Sequence, residues 1–269
     1  MIERPGYSLT ETAVEHRDIL SLLESAGPLT SRTLEDELGC SLATVNRHLG
    51  TLRAHELVEK DETAYALTAL GQAVLRTIER TARQVTILET IADSPFLSNV
   101  ADAPKPFDVR WLANATVIRS TTADPYRLYD RYVEVFEDAS RLRALRNEGV
   151  IPPGVLDAMT PKLLDPAFDA EGIWSRASAE RFMQTHPTIH ELRRENPELG
   201  VYLSEDPIPI DFSLFDSCLV ILSYDQRTGH PTRYVETDDE SAMGWAADVF
   251  AHYRERSKTV PDVFEEFEY

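Results

Sequence analysis

The sequence predicts an α/β or α+β chain of two domains, a winged helix-turn-helix followed by a mixed α/β domain, and three observations carry that expectation. The chain has 269 residues, enough for two cores of ordinary size. Its first seventy residues give three closely spaced helical patterns and then two short β-type segments. Beyond a Pro-rich stretch at 103–106, apolar strands alternate with amphipathic helices, which places a boundary near residue 100.

In the first domain, Val14, Ile19, Leu22, Leu23 and Ala26 recur at helical spacing from residue 11 until Gly27 and Pro28 stop the pattern. Thr30 or Ser31 then offers an N-cap hydroxyl to a short helix carrying Leu34 and Leu38, and Gly39 supplies the positive φ that ends it. Ser41 caps the third helix. There Val45, Leu49 and Leu52 take the inward face, leaving Leu42, Ala43, Thr44, Asn46, Arg47, His48 and Arg53 on or beside the open one. Two helices joined by a Gly-containing turn form a helix-turn-helix. Residues 57–60 and 64–67, joined by Asp61, Glu62 and Thr63, read as a small hairpin, the wing.

The run Leu29-Thr30, Leu34, Leu38-Gly39, Ser41, Thr44-Val45, Arg47-His48-Leu49, Leu52, Leu57-Val58, Tyr65, Leu67-Thr68 and Gly71 resembles the MarR and ArsR class of winged-helix regulators over about sixty residues. One departure is Glu56, where such modules usually place Gly after the recognition helix. The resemblance implies double-stranded DNA as a partner. A helix of this kind enters the major groove, its N-terminal residues reading base edges while nearby cations and hydroxyls hold phosphates. Ser41, Ala43, Thr44, Asn46 and Arg47 are the candidates for base edges or adjacent phosphates, since Arg grips guanine and Asn adenine in bidentate fashion. His48 and Arg53 are candidates for the backbone, with Arg32 at the start of helix two, beside Thr30 and Ser31, and Lys60 and Thr63 in the wing. The bland alternative is a solvated face on an adaptor domain. Between Glu37 and Glu56 no acid occurs, the longest such gap in the chain, and it coincides with the recognition helix.

From Gly71 the residues Val74, Ile78, Thr81, Val85 and Leu88 form a heptad seam, in a helix expected to end near residues 93–95. The seam either pairs with its twin, giving a homodimer on a palindromic site, or packs on the chain's own second domain. The domain divisions are therefore 1–70, 71–98 and 99–269. In the last of these, 115–119 and 219–224 read as strands, the latter turning through 225–229 into 232–236. Residues 126–146 read as one amphipathic helix (Leu128, Tyr132, Val135, Ala139, Leu142), with further helices near 155–164, 177–184, 189–195 and 240–257, the last carrying Ala242, Trp245, Ala246, Val249 and Tyr253.

Phe215-Asp216 with Leu219, Tyr224-Asp225 with Gly229, Trp245-Ala246 with Tyr253-Arg254, and Pro125-Tyr126 resemble the effector domain of archaeal winged-helix regulators of the methanogenesis-regulator type, related to the TrmB-like sensors. That resemblance implies a domain sensing a small molecule or a partner. A ligand pocket is expected at the end of the first strand, where Arg119, Ser120, Thr121 and Thr122 meet a helix start at Tyr126, with Asp216, Tyr224 and Trp245 as further lining or, equally, core residues.

Formal net charge is −19 with a pI near 4.7, ordinarily unfavourable for a nucleic-acid partner. Only four of the 27 basic residues are lysines, against 46 carboxylates. This balance resembles proteins of salt-accumulating halophiles, and at molar salt a Debye length of about 3 Å removes the objection. Cys40 and Cys218 are expected as reduced thiols, and the lack of an apolar run or leader pattern points to a cytoplasmic protein without a membrane role. No nucleophile elbow, P-loop, dinucleotide fingerprint or HExxH is present, so neither catalysis nor a cofactor is expected. His186 and His190 are separated by Pro187 and lack a Cys partner, and no metal is assigned to them. Glu205, Asp206, Asp211 and Asp216 read as a solvated acidic loop.

Overall fold

The computed structural model describes residues 6–92, 94–121, 123–124, 127–147, 151–185, 195–196, 199–225 and 231–259. Two compact units, Met1–Arg83 and Gln84–Tyr269, divide inside a helix.

The first unit opens with α1 (Tyr7–Glu15) and α2 (Arg17–Ala26), where the apolar spacing predicts one helix. The break falls at His16, whose backbone (φ −112°, ψ 22°) leaves the helical region. Its buried imidazole stays against the preceding turn, Nδ1 donating to the Thr12 carbonyl at 2.9 Å. The break moves the inward face to Thr12 and Ala13, and Val14, predicted as core, is 59% exposed. Gly27, at φ 78°, ends α2 and leads to the two-residue β1 (Leu29–Thr30). Thr30 Oγ1 accepts the Thr33 N–H and so caps α3 (Ser31–Leu38), which Gly39 ends at φ 62°. Next comes α4 (Leu42–Ala54), with Val45, Leu49 and Leu52 buried as the spacing requires. The wing is β2 (Val58–Asp61) against β3 (Ala64–Leu67), and β1 adds to β3, giving the order β1-β3-β2. Leu20, Leu23, Leu34, Val45, Leu49, Leu52, Leu57 and Leu75 fill one core beneath the three helices and the wing.

The long helix α5 (Ala69–Ile91) begins in the first unit and ends in the second. Its heptad seam is divided accordingly. Val74 and Ile78 join the winged-helix core and Leu88 joins a core of the second unit, while Thr81 and Val85 are exposed.

In the second unit α6 (Phe96–Ala101) and a 3₁₀ turn (Val109–Leu112) precede β4 (Thr116–Arg119) and α7 (Arg127–Asp138). Then follow β5 (Arg141–Arg146), α8 (Pro153–Leu163), β6 (Asp169–Ser175), α9 (Arg176–Thr185), β7 (Gly200–Ser204) and β8 (Asp211–Phe215). The chain continues through β9 (Leu219–Tyr224), β10 (Pro231–Thr237), α10 (Glu240–Arg254) and β11 (Lys258–Thr259). The described strands make one eight-stranded sheet, ordered β11-β7-β6-β5-β8-β9-β10-β4, in which β5, β6 and β7 run parallel and the other pairs antiparallel. Each face of this sheet buries its own core. Leu142, Val220, Leu222 and Tyr234 pack with α7, α8 and α9 on one side, and Leu145, Phe212, Ile221 and Val235 with α6, α10 and the end of α5 on the other.

The helix predicted over 126–146 is a correction. It ends at Asp138, and Leu142 lies on β5. The cause is remote in sequence: the Asp216 carboxylate accepts from the Ser140 and Arg141 N–H groups at 3.0 and 3.3 Å and from Ser140 Oγ at 3.2 Å, drawing the chain into the sheet. Asp216 therefore anchors a strand start, and Asp211, also read as part of a solvated loop, is buried and accepts the Asn147 N–H at 3.0 Å. The helix expected near 189–195 and the residues His186 and His190 lie outside the described residues, apart from Glu195 at its end. Among the described residues no helix is long and apolar enough to cross a membrane.

Candidate nucleic-acid interface

The face presented by α4 is built from its N-terminus. Ser41 Oγ accepts the Thr44 N–H at 3.3 Å and lies 3.0 Å from Thr44 Oγ1. Glu35, reaching across from α3, accepts the Leu42 N–H at 2.9 Å. Two of the free amide donors of this helix end are thereby satisfied, and the angle between α3 and α4 is tied by a side chain as well as by the core.

Ala43, Asn46 and Arg47 are exposed along one stripe, with Ser41 at its head and Thr44 half-buried beside it. This stripe brings an amide, a guanidinium and hydroxyls onto one helical surface without a carboxylate of its own. His48 sits at its edge, half-buried, its ring edge-to-face with His16 at 4.6 Å between centroids and its Nε2 3.4 Å from Arg47 Nη2. Burial, then the neighbouring His16 and Arg47, hold the His48 pKa below the ordinary histidine value, against an opposing pull from Glu15. His48 thus tends to be neutral on the free protein, able to accept from Arg47.

Arg53 stands exposed at the far end of α4. Between it and the wing runs an open groove of about 610 Å³ lined by Gly50, Arg53, Ala54, Glu56, Lys60 and Thr68. Arg32 is exposed on the first turn of α3. In the wing Lys60 lies over the Tyr65 ring at 5.4 Å, and Thr63 is exposed. Lys60 shares the hairpin with exposed Glu59, Asp61 and Glu62, so the wing is net acidic and the stripe on α4 carries the cationic character.

Of the residues proposed for a ligand pocket in the second unit, the described ones Asp216, Tyr224 and Trp245 lie apart from one another. Tyr224 is buried on the α7 side of the sheet, and Trp245 is buried on the opposite side, its Nε1 donating to the Lys105 carbonyl at 3.0 Å. Asp216 holds the start of β5. Thr121 closes a turn by accepting the Asp124 N–H at 3.0 Å, and Arg119 donates to the Thr90 carbonyl at 2.6 Å. Thr122 and Tyr126 lie outside the described residues.

Sequence reasoning missed a buried polar network here. Arg146, 5% exposed, donates to the Phe212 carbonyl at 2.7 Å, to Ser213 Oγ at 2.6 Å and to Tyr132 Oη at 2.9 Å, with Asp211, Tyr129 and Tyr224 close by. The alternation of Leu142-Arg143-Ala144 was the available strand signal.

Fold and surface together define a winged-helix module joined to a mixed-sheet domain. Residues 125–256 match the family model described as the middle domain of the methanogenesis regulatory protein FilR1, and residues 7–94 match the model described as the HVO_A0261 N-terminal domain. No curated protein matches the sequence. Among solved structures the chain is similar to TrmBL2, an archaeal chromatin protein described as showing a novel mode of DNA binding, at 14% identity and a TM-score of 0.41, covering 94% of this chain and 99% of that one. It is also similar to NucT from Helicobacter pylori, at 11% identity and a TM-score of 0.44, covering 54% of this chain and 98% of that one.

Proposed function

We propose that the chain is a sequence-specific DNA-binding transcription regulator, acting as a homodimer on a palindromic site, whose second domain tunes DNA affinity in response to a small molecule or partner. The observation that carries this reading is the exposed stripe Ala43, Asn46 and Arg47 on a capped α4, in the longest acid-free stretch of a strongly acidic chain. The match of residues 125–256 to the middle domain of a methanogenesis regulatory protein supports the regulator class. Exposed Thr81 and Val85 leave part of the α5 seam available to a twin helix, which supports dimerisation through this region. The function needs no catalytic group: binding at one site changes affinity at another through a coupling free energy.

Footprinting at molar potassium salt tests the reading. A protected palindrome is expected; uniform coverage would make the chain an architectural DNA protein, and absence of protection a protein-interaction adaptor. Arg47→Ala should reduce discrimination between the selected site and random DNA by about 1–3 kcal/mol, while Lys60→Ala in the wing should weaken binding to both alike. Unchanged discrimination in Arg47→Ala would remove the base-reading assignment.

A further inference from the structure

His16 and His48 meet edge to face beside the exposed stripe of α4, with 4.6 Å between ring centroids. His16 is fixed at the break between α1 and α2: it is buried, and its Nδ1 donates to the Thr12 carbonyl at 2.9 Å. His48 is half-buried against this wall, next to Arg47, and its Nε2 lies 3.4 Å from Arg47 Nη2. A guanidinium only donates, so Nε2 receives it only while His48 is neutral.

The surroundings of His48 oppose a second positive charge. Arg47 stands beside it on α4 and His16 across from it, while Glu15 at the end of α1 is the carboxylate that acts on it. Arg17, the next residue after His16, lies 3.8 Å from Glu79. α4 itself carries no acid. Burial, His16 and Arg47 together outweigh Glu15 and hold the imidazole below the ordinary histidine pKa. A helix seated in the major groove brings its edges against phosphates, and a phosphate oxygen beside an imidazole favours the charged ring.

We propose that His48 is a proton-linked phosphate contact: on reaching the DNA backbone it takes a proton from solvent, donates through Nε2 to a phosphate oxygen, and so frees the Arg47 guanidinium for the base edges. His48 is thereby a positioning residue for Arg47 as well as a contact. Since the bound state holds the extra proton, DNA affinity rises as pH falls through the bound-state pKa and levels off below the free-state one, with a limiting slope of about tenfold per pH unit per chain. The proposal rests on α4 being the DNA surface.

Fluorescence anisotropy with the full chain on a duplex it selects, at constant potassium salt from about pH 5.5 to 7.5, around the ordinary histidine value, tests this. Wild type should bind several-fold tighter at the acid end. His48→Gln, whose amide accepts from Arg47 but cannot take a charge, should give a flatter profile, and His48→Lys, charged throughout, a flat and tight one. Proton NMR of the His48 ring should place its titration midpoint below the ordinary histidine value in the free chain and higher on the duplex. Parallel profiles for wild type and His48→Gln, a lysine variant as weak as the glutamine one, or a midpoint that DNA leaves unmoved would each overturn the proton linkage alone. A chain that binds no duplex at any pH would overturn the regulator reading along with it.

Discussion

At the scale of single residues, Glu56 carries the clearest strain. Its φ of 57° lies in the left-handed region, and its carbonyl is held there by Thr68 Oγ1 donating at 2.6 Å. A β-carbon in that conformation costs about 1–2 kcal/mol, which Gly avoids. Glu56→Gly should therefore raise the stability of the winged helix by about 0.5–1 kcal/mol after the entropy of the unfolded glycine is counted. Chemical denaturation measures this, and a destabilised variant would show that the turn is not strained. Glu236 gives a second prediction. Burial pushes its carboxyl up, but Arg131, donating through Nε at 2.9 Å and Nη2 at 2.7 Å, and Tyr234, donating at 2.6 Å, more than reverse this and leave its pKa below the ordinary glutamate value. A depressed folded pKa contributes stability above the unfolded pKa and loses it as pH falls through the folded one. The stability gap between wild type and Glu236→Gln should hold at neutral pH and narrow below about pH 4.3; a gap that does not narrow on acidification would contradict the pairing.

At the scale of elements, Gly71 fixes how α5 leaves the wing. A β-carbon there would stand 2.0 Å from the Leu57 carbonyl oxygen, a backbone atom that cannot step aside. Gly71→Ala should cost about 2–3 kcal/mol through overpacking, read from the shift in the denaturation midpoint; a neutral result would mean that α5 docks differently. The elements of the first unit were legible in the sequence because their signals are local. Thr30 and Ser41 are caps three residues from their amides, Gly39 ends a helix by its own φ, and Val45, Leu49 and Leu52 repeat at helical spacing. What failed there was one helix break, since His16 bonds to a carbonyl that continuous helix would also offer. In the second unit the failures have a different cause. Strand β5 is specified by Asp216, by β6 and by β8, all distant in sequence, so residues 139–146 taken alone kept the helical reading. Tyr224 and Trp245 look alike as buried aromatics in the sequence, yet strand parity puts them on opposite faces of one sheet. The α4 stripe was legible for the same reason as α4 itself, whereas the meeting of His16 with His48 depends on packing between helices that no local pattern encodes.

At the scale of the whole molecule, 46 carboxylates against 27 basic residues set the response to salt. A net charge of −19 opposes compaction through self-repulsion, which weakens as the Debye length falls from about 10 Å at 0.1 M to about 3 Å at 1 M. The thermal midpoint should rise with potassium chloride over that range. On the proposed reading, DNA binding responds to two opposed effects. Counterion release from phosphates lowers the affinity by a log-log slope of about −0.9 per contact, while screening of the acidic body against the duplex raises it. Arg32, Arg47, Arg53 and Lys60 are the candidate fixed cations of the interface, so contacts alone give a slope near −3.6 per chain, and screening makes it shallower. Fluorescence anisotropy on a duplex selected by the protein, from 0.2 to 2 M salt, measures the slope directly. A value shallower than that limit, together with a rising thermal midpoint, is the expected outcome. A steeper slope would mean that the phosphates are held by cations elsewhere on the chain, and the assignment of α4 and its neighbours as the main DNA surface would fall.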